Sequence, residues 1–219
     1  MTEAYKILYK GGEGEIVEKK SRFIATTMPV KSEEEAAAFM DATKKRYWDA
    51  RHNCSAFVIG RHHELTRCSD DGEPAQTAGK PMLEVLLGED IHDMAVVVTR
   101  YFGGTLLGTG GLVRAYTAAV KKGLAGSVIV TKQCGTRLKA GIDYNGLGKL
   151  QYICGLLGVP VLETHYAEAV EAELLVPQEQ LGAFRKKLTE ATNGKAALTD
   201  CGQVWFGVVD GEIELFENR

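Results

Sequence analysis

Long apolar runs and an excess of charge of either sign are both lacking in this sequence. No run approaches the ~18 apolar residues that cross a bilayer, and 26 basic residues stand against 29 acidic ones. The first residues also lack the basic and then apolar order of a secretory signal. We therefore expect a cytoplasmic protein with no membrane partner. Any contact with RNA should be local, because nonspecific binding needs many Lys and Arg side chains on phosphates.

Cysteine and proline are scarce, with five residues of each among 219. The cysteines are odd in number and widely spaced, which favours free thiols in a reducing compartment over a disulfide framework. The apolar fraction of 45% and the charged fraction of 25% are those of an ordinary globular chain. The length allows one large domain or two modest ones, and we expect two.

The last third of the sequence alternates between the period of a strand and the period of a helix. Asn-Gly pairs at 145–146 and 193–194, and Gly-Val-Pro at 158–160, separate the elements. The predicted elements are a strand at 136–144, a helix at 147–157, strands at 161–166 and 169–176, a helix from Pro177 to Asn193, and a strand at 197–206. This βαββαβ order is that of a ferredoxin-like domain.

The upstream part has a different order of elements. Ser32 with Glu35 three residues later forms a capping box, which predicts a helix ending near Tyr47. The remaining predicted elements are strands at 15–20, 22–30, 54–60 and 94–100, a brief helix at 81–88 and a longer helix at 112–124. We expect the two domains to cover residues 1–133 and 134–219.

One segment between two elements carries more polar residues than a turn requires. It contains Ser69, Asp70, Asp71, Gly72, Glu73 and Thr77. Three carboxylates and a hydroxyl this close together can bind a metal, orient a water or accept hydrogen bonds from backbone amides. Asp-Asp-Gly is also strong turn chemistry, in which short polar side chains cap their own backbone. Without a downstream ligand pattern, we predict no metal here.

A second segment is rich in glycine and lies between a β-branched strand and a helix. Its five glycines are Gly103, Gly104, Gly108, Gly110 and Gly111, and Arg100 and Arg114 flank them. Glycine lets a ligand approach the backbone, and the amides at the start of a helix favour an anion. The spacing matches neither the Rossmann nor the P-loop motif. A phosphate cradle and a structural turn both remain open.

Other combinations of chemically active residues are weak. A metal site could be assembled from His52, Cys54, His62, His63 and Cys68, but their spacing fits no zinc template. Ser69 and Cys68 have no identifiable partnering base or oxyanion hole. We therefore predict no catalytic residue, no cofactor and no metal ligand.

The two segments together resemble the signature of a known family. The matching stretches are Ser69-Asp-Asp-Gly-Glu-Pro74, Thr77-Ala-Gly-Lys-Pro81, Val98-Thr-Arg-Tyr-Phe-Gly-Gly104 and Leu107-Gly-Thr-Gly-Gly-Leu-Val-Arg-Ala-Tyr116. They look like the motifs of the IMPACT family, and the resemblance covers about residues 15–125. The added C-terminal domain makes the chain similar to the YigZ-type bacterial members.

This resemblance implies an α+β protein of two domains. The first would be an α/β sandwich like that of a small-subunit ribosomal protein and of GHMP-type kinases. The second would be similar to a ferredoxin-like domain of translational GTPases. The eukaryotic branch is tied to an initiation-factor kinase through an additional RWD-type domain, so that partner is not carried over. Gln76 stands where the family leads us to expect glycine.

Two classes of function follow. The leading hypothesis is a noncatalytic cytoplasmic regulator linked to translation, whose partner is RNA, the ribosome or a translation factor. The alternative is an enzyme or nucleotide-binding protein that acts on a phosphorylated small molecule, with the glycine-rich loop holding phosphate and Asp70, Asp71 or Glu73 holding Mg²⁺. A peptide-binding adaptor that uses Tyr101, Phe102 and Tyr116 is a third reading.

We expect the two segments to meet in space and to form one ligand-binding patch. Arg100 and Arg114 would be its cationic anchors, because the planar guanidinium binds phosphate or carboxylate through two hydrogen bonds. Asp70, Asp71 and Glu73 would order the loop as acceptors. An internal pair between an arginine and a carboxylate, joining the two segments, is the alternative.

Overall fold

The computed structural model describes residues 4–216, which form a two-domain α+β protein. Residues 5–131 make up one compact unit, and residues 132–216 with Ala4 make up the other. We call these the N-terminal and C-terminal units. No helix among the described residues is long and apolar enough to cross a membrane.

The N-terminal unit is built on a five-stranded sheet with antiparallel neighbours throughout, in the order β2-β3-β7-β4-β5. A separate strand, β1, pairs in parallel with the two-residue strand β6. The elements are β1 Tyr5–Lys10, β2 Glu13–Glu18, β3 Ser21–Pro29, α1 Glu33–Arg46, β4 His52–Ile59, β5 Leu65–Ser69, α2 Gly79–Gly88, β6 Ile91–His92, β7 Met94–Tyr101, α3 Thr109–Ala125 and the start of β8 Val128–Ile142.

Both faces of this sheet are covered, so its central strands β4 and β7 are apolar on both sides. Alternate residues such as Ala56 and Val98 face a core shared with α2 and α3. Their neighbours Phe57 and Val97 face a second core against Phe39 of α1. Because side chains alternate between faces, a continuous apolar run is what a strand buried on both sides requires.

The predicted capping box at the start of α1 is confirmed. The Ser32 hydroxyl accepts a hydrogen bond from the Glu35 N–H at 3.2 Å, and the Glu35 carboxylate accepts one from the Lys31 N–H at 2.7 Å. The first bond satisfies an amide donor that the helix leaves free in its first turn, and the second ties the helix to Lys31, the residue before the N-cap.

The C-terminal unit has an antiparallel sheet in the order β12-β11-β8-β10-β9. Its further elements are α4 Tyr144–Leu157, β9 Val161–Tyr166, β10 Val170–Pro177, a short 3-10 helix Gln178–Gln180, α5 Leu181–Thr192, β11 Ala197–Val209 and β12 Glu212–Phe216. Leu150, Ile153 and Phe184 are buried as predicted, and Leu181 packs at the edge of the same core. The predicted βαββαβ order is present, followed by the additional strand β12.

Five features differ from the sequence prediction. Strands β1, β5, β6 and β12 were missed, and β8 begins at Val128 and runs through the expected boundary without a linker. Strands β1, β5 and β12 are at most half-buried along much of their length, so their own residues give a weak apolar signal, and β6 has only two residues. β1 and β6 pair with each other from distant parts of the chain, whereas β5 and β12 pair with the strand that precedes each of them.

Candidate anion-binding site

Asp70 fixes the loop between β5 and α2. Its carboxylate accepts hydrogen bonds from the backbone N–H groups of Gln76 at 2.8 Å, Ala78 at 3.0 Å and Gly79 at 2.9 Å. The residue at the N-cap of α2 is Ala78, which has no capping side chain. Asp70 therefore supplies, from eight residues earlier in the chain, the cap that α2 lacks.

The same contacts decide the charge of Asp70. Burial alone would raise the pKa of this carboxyl, but the three N–H donors outweigh burial and lower the pKa from its ordinary value. Its oxygens are therefore ionised at neutral pH and occupied by backbone amides. They serve the loop and are not open ligands for a metal.

The turn itself is tight. Asp71, Gly72 and Gln76 have φ angles of +41°, +85° and +64°, in the left-handed region. Gln76 stands where the resemblance led us to expect glycine, and its positive φ explains that expectation. A side chain in this region costs on the order of 1–2 kcal/mol, so the surrounding hydrogen bonds must hold the turn in place.

Asp71 joins the loop to neighbouring elements. Its carboxylate accepts hydrogen bonds from the Lys44 ammonium and from the Asn53 backbone N–H, both at 2.7 Å. The Ser69 hydroxyl accepts a hydrogen bond from the Asp71 N–H at 3.2 Å, and the Thr77 hydroxyl donates one to the Pro74 carbonyl at 2.7 Å. These polar residues therefore act as loop supports.

Glu73 connects the first segment to the second. Its buried carboxylate accepts hydrogen bonds from the Arg100 guanidinium at 2.6 Å and from the Tyr116 hydroxyl at 2.8 Å. The Cys54 thiol donates in turn to the Tyr116 oxygen at 3.3 Å. Arg100 thus makes the internal pair that the sequence analysis kept as the alternative to an exposed cationic anchor.

The buried network stays protonated at Cys54 and Tyr116. Burial raises the pKa of the Cys54 thiol to about 12, despite the opposing hydrogen bond with Tyr116. Burial, the neighbouring thiol and Glu73 raise the pKa of Tyr116 as well. A thiolate nucleophile at Cys54 is therefore strongly disfavoured at neutral pH.

The glycines of the second segment have different structural roles. A Cβ on Gly103 would collide with the Lys20 carbonyl, because the two backbones are in direct contact there. Gly104 and Gly108 have φ angles of +86° and +72° and face open space. Gly108 precedes α3, so the positive φ directs the chain into the helix.

The two segments meet at a cavity of about 450 Å³. Gly72, Glu73 and Pro74 line it from the first segment. Its other lining residues are Arg51, His52, Arg100, Phe102, Leu106, Leu107, Gly108, Thr109 and Leu112. The expectation that both segments contribute to one surface agrees with this geometry.

Two groups give the cavity positive potential, and the charge of one of them, Arg100, is partly balanced by Glu73. Arg100 is only 6% exposed, and its Nε has no hydrogen-bond partner among the described residues. At the cavity wall, α3 begins at Thr109 with no side-chain cap and no acidic residue in its first turn. The free N–H groups of such a turn carry a partial positive charge. The arrangement is suited to an anion.

The candidate residues of the sequence analysis fall into three groups. Those that line the cavity are Gly72, Glu73, Arg100 and Gly108. Those that support the loops are Ser69, Asp70, Asp71, Thr77, Gly103 and Gly104. Gly110 and Gly111 lie in the first turn of α3, and Arg114 is exposed and forms no ion pair with any residue from 4 to 216.

Sequence reasoning missed several residues at the cavity. Leu106 and Thr109 lie inside the glycine-rich segment, where attention to glycine and arginine passed over them, and Phe102 was named only for a peptide-binding adaptor. Arg51 and His52 lie at the start of β4, where no motif marks them. Only the pairing of β4 with β7 brings that strand end to the cavity.

Comparison with known proteins identifies the family. Residues 19–124 match the Impact N-terminal domain, and residues 141–195 match a domain of unknown function, DUF1949. The chain is 42% identical over 200 residues to the IMPACT family member YvyE of Bacillus subtilis, covering 91% of this chain and 92% of that protein. The chain belongs to the IMPACT family.

Two further relatives agree with this assignment. The IMPACT family member YigZ of Escherichia coli is 36% identical over 182 residues, which cover 82% of this chain and 89% of that protein. A solved structure described as a hypothetical protein is 33% identical, with a TM-score of 0.58 over 92% of this chain and 99% of its own. The similarity to these two proteins therefore extends over both units.

Proposed function

We propose that this protein is a noncatalytic regulator linked to translation, and that its N-terminal unit binds single-stranded RNA at the cavity between the two segments. Membership of the IMPACT family supports the link to translation that the sequence motifs implied. The observation that carries the RNA proposal is the meeting of a buried, partly unpaired Arg100 with the uncapped start of α3. Both favour a phosphate group.

A neighbouring groove supports a polynucleotide over an isolated phosphate. This groove, of about 580 Å³, is lined by Trp48, by the cations Lys44, Lys45 and Arg51 and by the carboxylates of Asp41 and Asp71, of which Asp71 pairs with Lys44. Arg51 also lines the first cavity. Trp48 is 83% exposed. Stacking of a base on an exposed aromatic ring contributes about 1–3 kcal/mol, and adjacent cations neutralise the backbone. Unpaired bases are needed for such stacking, so a single strand fits best.

A phosphorylated small molecule is the second candidate. The cavity volume lies within the ~300–1,000 Å³ range of small-molecule sites, and Phe102, Leu107 and Leu112 provide an apolar wall. A mononucleotide would use the same phosphate position without the groove at Trp48. The two candidates therefore differ in whether Trp48 contributes.

Thr109→Glu should change RNA binding without lowering the stability of the fold. Thr109 is exposed at the first position of α3, where a carboxylate stabilises a helix by about 0.3–1 kcal/mol. The same carboxylate would repel a phosphate. We expect at least tenfold weaker binding of a labelled single-stranded RNA in fluorescence anisotropy, with no loss of thermal stability. Thr109→Gln, of similar size but neutral, should bind within about twofold of the native chain.

The proposal is contradicted if Thr109→Glu binds single-stranded RNA as tightly as the native chain, or if the native chain does not bind it. Affinity should fall as salt rises, because phosphate contacts release counterions. Trp48→Ala should weaken RNA binding at least fivefold and leave mononucleotide binding unchanged. Ribosome co-sedimentation at two salt concentrations tests the link to translation.

A further inference from the structure

Three potential metal ligands converge in the N-terminal unit, outside the residues that line the cavity. His63 follows β4, Asp90 follows α2, and His92 is the second residue of β6. One donor atom from each lies within 4.8 Å of the other two. Only the fold brings them together, since His63 is separated by 27 positions from Asp90.

The distances to the shared carboxylate match a tetrahedral site. The Asp90 Oδ1 lies 3.3 Å from the His92 Nε2 and 3.7 Å from the His63 Nε2. With Zn–N and Zn–O bonds of about 2.0–2.2 Å, neighbouring ligand atoms of a tetrahedral zinc are about 3.3–3.5 Å apart. One of these two contacts is therefore already at the separation that a bound ion requires, and the other is 0.2–0.4 Å longer.

The histidine tautomers also suit a metal. The His92 Nδ1 is 3.0 Å from the Gly60 carbonyl, to which it donates, so its Nε2 carries the lone pair. Such a second hydrogen bond commonly orients a metal-binding imidazole. The His63 Nε2 is buried and has no hydrogen-bond partner among the described residues.

A bound ion requires one rearrangement. The two imidazole rings are stacked, with centroids 4.1 Å apart and planes 17° apart. On one tetrahedral zinc, ring centroids are about 5 Å apart and both ring planes point at the ion. His63 is in a turn and partly exposed, whereas His92 is held in a strand. The His63 ring is therefore the one that must turn away from the stack.

We propose that His63, Asp90 and His92 bind a divalent transition-metal ion of the zinc class, with water as the fourth ligand. Two imidazoles and one carboxylate form a donor set that zinc accepts, whereas magnesium and calcium prefer oxygen ligands alone. The Asp90 side chain is 67% exposed, so solvent reaches the ion. This site does not depend on the proposed RNA function.

The test is zinc titration of the chelator-treated full-length chain by calorimetry. We expect one equivalent to bind and Asp90→Asn to weaken its affinity at least tenfold. His63→Gln should have the same effect. Both variants change partly exposed side chains, so the fold should survive, which circular dichroism would check.

The matched control is His62→Gln, which changes the adjacent, exposed histidine. It should bind zinc as the native chain does, and so should Cys68→Ser, which removes an exposed thiol. Cobalt in place of zinc should give the visible absorption of a tetrahedral site, lost in Asp90→Asn. The proposal is wrong if the native chain binds no zinc, or if Asp90→Asn and His63→Gln retain its affinity.

Discussion

Glu73 joins the two segments of the site, because its one buried carboxylate accepts hydrogen bonds from two donors of the second segment. Its partners Arg100 and Tyr116 lie at the end of β7 and within α3. The Arg100 guanidinium is also 5.3 Å from the Phe23 ring centroid, so its other side is covered by an aromatic face. Removing the charge at Glu73 would leave this cation buried with no carboxylate partner.

Glu73→Gln should therefore destabilise the N-terminal unit by about 3–5 kcal/mol, the usual cost of breaking a buried ion pair. Urea unfolding monitored by circular dichroism would measure it. Arg114→Ala is the comparison, since Arg114 is exposed and should change stability by less than about 0.5 kcal/mol. If Arg114 contacts RNA, its variant should bind more weakly at unchanged stability. Equal stability of Glu73→Gln and the native chain would refute a structural role for the pair.

At the scale of elements, the start of α2 is capped by a residue outside the helix. Asp70 belongs to the loop after β5, and its three amide contacts join strand end, turn and helix. The sequence analysis gave backbone hydrogen bonding as one possible role of the three carboxylates; Asp70 and Asp71 have this role, whereas Glu73 accepts from side chains. It could not determine which carboxylate caps which helix, because the cap is eight residues from Ala78 and not at the N-cap itself.

The helices and the C-terminal order were predictable for a physical reason. Helix caps, C-terminal glycines and apolar periodicity are set by residues close together in the sequence. Ser32 before α1 and Gly158 after α4 are examples. β1 and β6 were not predictable, since their stability comes from pairing between Ile7 and His92, far apart in the chain. The site is limited by the same dependence on long-range pairing. The two segments could be recognised in the sequence, but Arg51 and His52 reach the cavity only through the pairing of β4 with β7.

Asp70→Asn tests the capping role through its pH dependence. The folded carboxyl has a lowered pKa, so its stabilisation is complete above the unfolded value and is lost as pH falls through the folded one. We expect the variant to lose about 1–2 kcal/mol at pH 7. The difference from the native chain should shrink below about pH 4. Asp41→Asn, on the exposed surface of α1, should show neither effect, and a constant difference at all pH values would count against the assignment.

At the scale of the molecule, each unit has its own core. The buried clusters of the N-terminal unit span residues 8–124, and that of the C-terminal unit spans residues 138–188. β8 contributes its first four residues to one unit and the rest to the other. A cut within this strand should therefore leave two foldable parts, and its position should decide how stable the second part is.

We expect the fragments 1–131 and 132–219 each to unfold cooperatively on heating. A fragment 134–219, cut at the boundary expected from sequence, lacks Gln133, which pairs with Phe206 across β8 and β11. It also lacks Lys132, whose ammonium lies 5.4 Å from the Trp205 ring centroid. The loss of one strand-paired residue and one cation–π contact should lower the free energy of unfolding by about 1–2 kcal/mol.

Thermal and urea unfolding of 132–219 and 134–219, followed by the fluorescence of the buried Trp205, would measure that difference. Trp48 remains on the other fragment, so Trp205 is the only tryptophan of both C-terminal fragments. Lys132→Met in the longer fragment separates the two contributions, since it removes the cation and keeps the strand. Equal stability of the two fragments would place the start of the second folding unit after Gln133, and failure of 132–219 to fold would refute two independent cores.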